Sequence, residues 1–552
     1  MSITSITPTP PSSAGRAVDR LMTRLMKLPA ARTDYVRSRE RVPMRDGVEL
    51  LADHYAPVTS HPLGTVLIRT PYGLVGPANL TSGRMLAARG YHVLVQSCRG
   101  TFGSGGVFDP MVADAHDAAD TVAWLREQSW FDGRFATFGP SYLGWTQWAL
   151  MADPPPELRA AVVVVGPHDF AEVVYGSGAF TLNDFLAWAD LVSHQESGST
   201  AARLLRTATG SRKLAAAYAG LPLGTAAELA LEGKAPWYRE WVGNPDLGAP
   251  FWTARRAPID KVDVPVLLVG GWQDIFIRQT IEQYTTLHER GVDVAMTIGP
   301  WTHIESGTKG AGQLARETLG WLDEHLAGAT GRARATPVRI HVTGAGEWRD
   351  LPSWPPATRT TSRWLRQHNA LGVAAPSGPS ADGPLAQFHY DPADPTPTVG
   401  GPLLARGAGV RDNKVLEART DVITFTTEPL AAAVEVIGRP VVELEHSTDN
   451  PHADLFVRIC DVDGRGRSRN VTDALQRLDP THPAGERRTV RIELGPCAHR
   501  FRAGHRLRLL VAGGSHPRWA RNPGTGEPPV TATTLRPSNQ TIHAGRVDLP
   551  TP

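Results

Sequence analysis

The sequence predicts an α/β domain on a largely parallel sheet, interrupted by a helical insertion and followed by an all-β domain. Three observations carry this. Between residues 40 and 332, short apolar runs alternate with helical patterns, as a sheet covered on both faces requires. The rhythm breaks at 167–258, which ends in the aromatic and proline-rich stretch APWYREWVGNPDLGAPFW. From 333 onward helices stop and short alternating stretches separated by turn residues take over, the pattern of a sandwich or jelly roll.

Taken in order, the opening MSITSITPTPPSSAGR reads as a disordered tail. Residues 17–28 read as a short helix packing on the body, with Val18, Leu21, Leu25 and Met26 on one side. Residues 40–55 form a hairpin around Arg45-Asp46-Gly47. Strands are expected at 65–69, 91–96, 135–138, 160–165, 264–269 and 294–298, and helices at 76–89, 112–127, 142–152, 277–289 and 312–327. Within the insertion, 182–192 and 200–218 have helical patterns. An insertion this late in a βαβ series is a cap over the carboxyl edge of the sheet, where open α/β folds bind ligands. In the last part, VRIHVTG, DVITFTT, VVELEHS, DLFVRICDV, RTVRIEL and HRLRLLVAG read as strands, with a turn-rich spacer at 374–402. The expected domains are 1–36 (tail and short helix), 37–166 with 259–332 (α/β), 167–258 (cap) and 333–552 (β).

Composition excludes several function classes. The chain has 552 residues, 57 Lys+Arg against 55 Asp+Glu and a formal net charge of +2, so no surplus of positive charge tracks phosphates. The skew of 51 Arg to 6 Lys is read as base composition. Cys98, Cys460 and Cys497 make neither a disulfide framework nor a zinc motif and are expected to be buried free thiols. No apolar run approaches the roughly 18 residues of a membrane span, and the N-terminus lacks the charged start and apolar stretch of a secretory signal. The expectation is a cytoplasmic protein with no metal or cofactor, no nucleic-acid or membrane partner, and a homodimer left open.

The sharpest chemical signal is Gly139-Pro140-Ser141-Tyr142-Leu143-Gly144, between an apolar run and a helical pattern. A serine on a tight strand-to-helix turn presents its hydroxyl above the sheet edge, beside the N–H donors of a helix start. The usual elbow is G-x-S-x-G; here Leu143 holds the fifth position and the glycine comes one later. The competing reading of Ser141 is an ordinary helix cap. A serine needs a base and a group to hold that base. Two downstream strand ends supply them in the order serine, acid, histidine: Asp274 in GGWQD (270–274) and His303 in GPWTH (299–303). Asp109, Asp114, Asp117 and Asp120 are read instead as a solvated face or local caps. For the oxyanion, the N–H of Tyr142 is the first donor. Tyr72, in the loop after the first core strand, offers its phenol as the second, or simply packs on a Pro-Gly turn.

These residues amount to a family pattern. The chain resembles the cocaine-esterase and X-Pro dipeptidyl-peptidase family of serine hydrolases over about residues 38 to 550. The markers are TPYG (70–73), SCRGTFGSGG (97–106), DAHDAADTVAWLREQSWFDGR (114–134), GPSYLGWTQW (139–148), GGWQDIF (270–276) and GPWTH (299–303). TFTTEPL (424–430), DLFVRICDVDGRG (454–466), HRFRAGHRLRLLVAG (499–513) and NPGTGE (522–527) continue it. The resemblance implies an α/β-hydrolase domain, a helical cap and a C-terminal jelly roll. It also implies Ser141 as nucleophile, His303 as base, Asp274 as orienting acid, and Tyr72 O–H with Tyr142 N–H as oxyanion hole. The family itself reads G-x-S-Y-x-G, so Leu143 is no defect. Members acting on α-amino-acid esters carry extra carboxylates just after the triad aspartate; here Ile275, Phe276, Ile277 and Arg278 follow, a poor setting for an ammonium ion. Phe276 matches an acyl-pocket aromatic of cocaine-esterase-like members, which favours an apolar or aromatic acyl group.

The expected activity is hydrolysis of a small-molecule carboxylic ester through an acyl-enzyme. A peptidase or amide/β-lactam acylase, an acyltransferase, and a ligand-binding protein with a vestigial site are the alternatives. Trp145, Tyr175, Phe185 and Trp188 are candidate pocket residues with Phe276; the cap aromatics equally suit the cap's own core.

Overall fold

The computed structural model describes residues 6–74, 77–196, 212–331, 334–376, 383–404 and 406–552. The chain divides into two compact units, one of Met1–Phe170, Pro250–Gly271 and Gln279–Arg339, the other of Ala171–Ala249, Trp272–Arg278 and Ile340–Pro552.

The first unit is built on a sheet of β1 (Ile6–Thr9), β2 (Tyr35–Pro43), β3 (Glu49–Pro57), β4 (Thr65–Thr70), β5 (His92–Ser97), β6 (Phe135–Pro140), β7 (Leu158–Val164), β8 (Val266–Gln273) and β9 (Val294–Thr302), ordered β1-β2-β3-β5-β4-β6-β7-β8-β9. β4 pairs parallel with both β5 and β6, and β6–β7 and β7–β8 are parallel too. β4, β5 and β8 are buried along their whole length, which is why they read as unbroken apolar runs. Val66, Val93, Val95, Ala136, Val162 and Leu267 pack in one cluster of that core. The expected hairpin at 40–55 is β2–β3, closed by the Gly47 N–H on Met44 O at 2.9 Å.

The amino-terminal segment departs from expectation. Residues 1–5 of the expected disordered tail lie outside the described residues, and from residue 6 that expectation is overturned, because β1 pairs antiparallel with β2. α1 (Ser13–Leu25) begins earlier than expected, capped by the Ser12 hydroxyl, which accepts from Gly15 N. The helix does pack on the body, but with its polar side. Asp19 accepts from the Tyr35 hydroxyl at 2.9 Å and pairs with Arg84 at 2.9 Å, while Val18, Leu21 and Leu25 stay 51, 54 and 68% exposed. A half-buried carboxylate with two partners orients the helix more strongly than three side chains at its rim. α2 (Pro77–Ala87), α3 (Asp114–Arg126) and α4 (Tyr142–Met151) follow between the strands as expected.

The second unit joins the inserted helices to the β domain. α5 (Phe170–Tyr175) leads into it, and α6 (Leu182–His194), α7 (Leu223–Leu231) and α8 (Pro236–Gly243) belong to it; of the expected helix 200–218, residues 200–211 lie outside the described residues. Backbone bonds fasten these helices to the β domain: Leu182 N and Asn183 N donate to Arg518 O and Pro517 O, each at 2.9 Å. The main β sheet runs in the order 468–477, 454–462, 506–512, 422–427, 370–372, 359–366, 538–551, 441–448, 488–493. Five of the six expected stretches lie in it. The other four strands of that order, Arg359–Arg366, Ala370–Gly372, Ser468–Arg477 and Ser538–Thr551, were not anticipated. No helix among the described residues is long and apolar enough to cross a membrane.

Candidate active site

Ser141 sits between β6 and α4 with φ 60° and ψ −122°, a conformation that L-residues adopt at a cost of about 1–3 kcal/mol. Its neighbours hold it there. Ser141 N donates to Val164 O of β7 at 2.9 Å, and Ser141 O accepts from Gly144 N at 2.8 Å and Trp145 N at 3.2 Å. The displaced glycine of the motif has a physical reason. A Cβ on Gly144 would lie 2.6 Å from the Gly166 Cα, just past β7. Helix and strand end therefore meet backbone to backbone at that position, which requires glycine on both sides.

The Ser141 hydroxyl lies 3.0 Å from His303 Nε2. Asp274 follows the end of β8 and is fully buried; α9 (Ile277–Glu289) begins next, with Ile277 N on Asp274 O at 3.3 Å. Asp274 and its flanks belong to the second unit, within which Trp272 Nε1 donates to His341 O at 2.7 Å and Gln273 Nε2 to Val471 O at 3.0 Å. His303 opens α10 (His303–Ser306) directly after β9. Thr302 caps that turn: its hydroxyl accepts from Glu305 N at 3.3 Å and its own N–H donates to the Glu305 carboxylate at 3.2 Å. This reciprocal cap fixes the backbone of the histidine one residue after the strand.

Tyr142 contributes the first N–H of α4, at the helix end that lacks intrahelical acceptors. Tyr72 is partly buried, packs against the core of the first unit, and its N–H donates to the Thr70 hydroxyl at 3.1 Å. Trp145 and Phe276 are both buried. Tyr175, Phe185 and Trp188 are buried and have partners among the inserted helices. The Tyr175 hydroxyl donates to Val242 O at 2.6 Å, Phe185 meets Trp241 edge-on at 6.0 Å, and Trp188 stacks on Trp241 at 5.9 Å.

The aspartates before and on α3 correct the sequence reading. Asp114 and Asp117, read as a solvated face or local caps, are 5 and 2% exposed, and among the described residues no side chain caps the start of α3. Asp114 Oδ2 accepts from the Tyr142 hydroxyl at 2.7 Å and from Trp145 Nε1 at 3.1 Å. Arg69, at the end of β4, donates to Asp114 O at 2.6 Å, and Asp117 takes Arg99 at 2.6 Å. Burial pushes the Asp114 carboxyl up, against the pull of Arg69 and the Tyr142 hydroxyl. The missed signal was Arg69, a lone cation in an apolar strand, which implies a buried anionic partner.

Beyond β7, the segment 166–169 is pinned by α9. Gln279 Oε1 accepts from His168 N at 2.8 Å and Asp169 N at 3.1 Å, and Gln283 Nε2 donates to Gly166 O at 2.8 Å. Cys98, Cys460 and Cys497 are buried and unpaired. Among the described residues, no cluster of three or more His, Cys, Asp or Glu is placed to hold a metal ion.

Chemically, a serine hydroxyl on a strained turn, in hydrogen-bond reach of an imidazole and beside a helix start, is an arrangement for acyl transfer. Residues 46–305 match the family model of the X-Pro dipeptidyl-peptidase (S15 family), and 330–548 match its C-terminal non-catalytic domain. A cocaine esterase from Rhodococcus sp. is 30% identical over 89% of this chain and 93% of its own length. An aminopeptidase from a marine-sediment Thaumarchaeota archaeon is 25% identical with a TM-score of 0.80, over 95% of this chain and 97% of that one. An α-amino acid ester hydrolase shares the fold, with a TM-score of 0.80 at 23% identity over 95% of this chain and 98% of that one.

Proposed function

As a member of the X-Pro dipeptidyl-peptidase (S15) family this chain is a serine hydrolase, and we propose that it cleaves a carboxylic ester through a covalent acyl-enzyme on Ser141. The observation carrying this is the 3.0 Å approach of the Ser141 hydroxyl to His303 Nε2. In the acylation step His303 Nε2 takes the serine proton as Oγ attacks the ester carbonyl. The oxyanion that forms is received by the N–H of Tyr142 and the hydroxyl of Tyr72; such donors are each worth about 10²–10³ in rate. His303 then gives its proton to the departing alkoxide. Water, deprotonated by the same imidazole, attacks the acyl-serine and releases the acid. Asp274 is the acid assigned to hold the imidazole in the tautomer that leaves Nε2 free to accept.

The acyl preference proposed is neutral and apolar or aromatic. Ile275, Phe276 and Ile277 follow Asp274, and the one ionic residue after them, Arg278, is a cation that donates to Glu493 O at 2.7 Å. A substrate ammonium gains nothing from such neighbours. A panel of neutral aryl esters, aminoacyl esters and aminoacyl anilides, run on wild type and Ser141→Ala, tests both parts. Neutral esters should turn over fastest, and the variant should lose about 10⁴-fold or more in kcat. A Ser141→Ala enzyme that keeps its turnover refutes the acyl-enzyme. Faster hydrolysis of aminoacyl substrates refutes the acyl preference and favours the aminopeptidase-like reading.

A further inference from the structure

Asp114, which the chemistry above does not use, lies directly beneath the nucleophile turn. Its Oδ2 receives two donors from the first turn of α4, the Tyr142 hydroxyl at 2.7 Å and Trp145 Nε1 at 3.1 Å. These residues stand three apart and so share a helix face. The Tyr142 hydroxyl accepts in turn from Met111 N at 2.8 Å, presented by a residue with φ 70°. The side chain of Tyr142 is thus held at both valences of its oxygen. On the other side, Arg69 donates to Asp114 O at 2.6 Å and brings a second nitrogen to 3.8 Å from Asp114 Oδ1. Arg69 itself is fixed by Gln96, with Nε on Oε1 at 2.9 Å. Three residues beyond Arg69, Tyr72 N is tied to the Thr70 hydroxyl at 3.1 Å. The same buried pair therefore touches both stretches of chain that carry the oxyanion donors.

We propose that Asp114 is a positioning residue for the oxyanion site, its carboxylate clamping Tyr142 and Trp145 and, with Arg69, fixing the first turn of α4 against the end of β4. The proposal rests on the acyl-enzyme reading of Ser141 and adds to it the part that sets the spacing of the two donors. Its physical basis is burial. A carboxylate and a guanidinium removed from water hold their hydrogen-bond geometry tightly, because any slackening leaves a charge unpaired. A donor must sit within about 2.7–3.1 Å of the oxyanion, and a misplacement of about 1 Å costs about 10²-fold. A clamp on the residue whose N–H is the donor controls that distance. The hydrolysis never passes a proton or a bond through Asp114.

The test compares Asp114→Asn, which keeps an acceptor oxygen, with Asp114→Ala and Tyr142→Phe, each read by kcat and KM separately and by affinity for an aryl boronic acid, a tetrahedral mimic. Asp114→Ala is expected to lower kcat by about 10²-fold with KM changed less than about threefold. Asp114→Asn should recover much of that loss. Boronate affinity should fall in step with kcat/KM, since only the tetrahedral state uses the donors. The Asp114→Asn/Tyr142→Phe double variant should be little worse than its poorer single, because both act on the one Tyr142–Asp114 hydrogen bond, which the first weakens and the second removes. Three results overturn the proposal: kcat within twofold of wild type in both Asp114→Asn and Tyr142→Phe, losses that multiply in the double variant, or boronate affinity unchanged while kcat falls. If Asp114→Ala does not fold, the other two variants decide. Turnover by Ser141→Ala refutes the acyl-enzyme reading itself, whatever Asp114 does.

Discussion

Two adjacent strands, β6 and β7, both end on a non-glycine residue in the left-handed region, Ser141 at φ 60° and Val165 at φ 43°. At β6 the strain presents a hydroxyl to His303. At β7 the strained residue is a β-branched side chain buried in the core, 1% exposed, and the effect is to turn the chain so that Gly166 meets Gly144. The two ends are also linked in series, Ser141 N on Val164 O at 2.9 Å and Val165 N on Val269 O at 2.7 Å. Backbone strain thus marks a sharp strand end, and the base beside it marks the nucleophile.

The largest effect separating the two ends should come from relieving each strain with glycine. Ser141→Gly is expected to lose about 10⁴-fold or more in kcat. In the same variant, denaturant unfolding should show a gain of about 1 kcal/mol, the strain no longer carried by a Cβ. Val165→Gly relieves the same kind of strain but empties a buried site worth about 1.5–3 kcal/mol, so it should be destabilised. A Ser141→Gly enzyme less stable than wild type would show that no strain is stored at the nucleophile.

The contrast also explains what the sequence made legible. β6 and the following helix were readable because a buried parallel strand, a tight turn and a helix start leave a strong local pattern at 135–151. The candidate acid and base were readable because each stands just past an apolar run. Asp114 and Asp117 were not, since their charge argues for solvent and only the distant Arg69 reverses that. The orientation of α1 was misread for a related reason: periodicity finds an apolar face but not the ion pair from Asp19 to Arg84 that turns it outward. Nor does periodicity say that Leu182 and Asn183 are bonded to Arg518 and Pro517 of the β domain, because those bonds run between backbone atoms.

A second, smaller difference concerns the glycine contact. Alanine at 144 puts a Cβ 2.6 Å from the Gly166 Cα, and alanine at 166 puts one 2.7 Å from the Gly144 Cα. Neither obstacle is a side chain that can rotate away, so α4 must shift from β7, at about 1–3 kcal/mol. Because α4 carries the Tyr142 N–H, kcat should fall by about 10²-fold in either variant. Thermal unfolding and steady-state kinetics on both variants check this. A Gly166→Ala enzyme with full kcat would mean that β7 does not set the height of the nucleophile turn.

The smallest expected effect lies at the β7 end alone and is a matter of pH. His168 Nδ1 is 3.2 Å from Gln283 Nε2, an amide nitrogen that can only donate. The imidazole must therefore keep Nδ1 unprotonated, and burial pushes its pKa down to about 4, with Asp169 opposing and Arg256 reinforcing. In the unfolded chain the same histidine binds its proton near pH 6.5. Between about 6.5 and 4 the unfolded state holds the extra proton, so stability rises with pH across that window. His168's share is fully present above about 6.5 and is lost as pH falls toward 4. Removing the titrating ring with His168→Asn should flatten the acid limb of the stability curve by about 1–2 kcal/mol between pH 7 and 5, measured by urea unfolding at each pH. Buried His54 and His446 and half-buried His516 also have lowered pKa values, about 3, 4 and 4, so part of the slope should remain. An unchanged slope in His168→Asn would place the acid sensitivity at other groups of the chain. It would also remove the pH dependence from the end of β7, leaving the two strand ends to differ only in what their strained residues present.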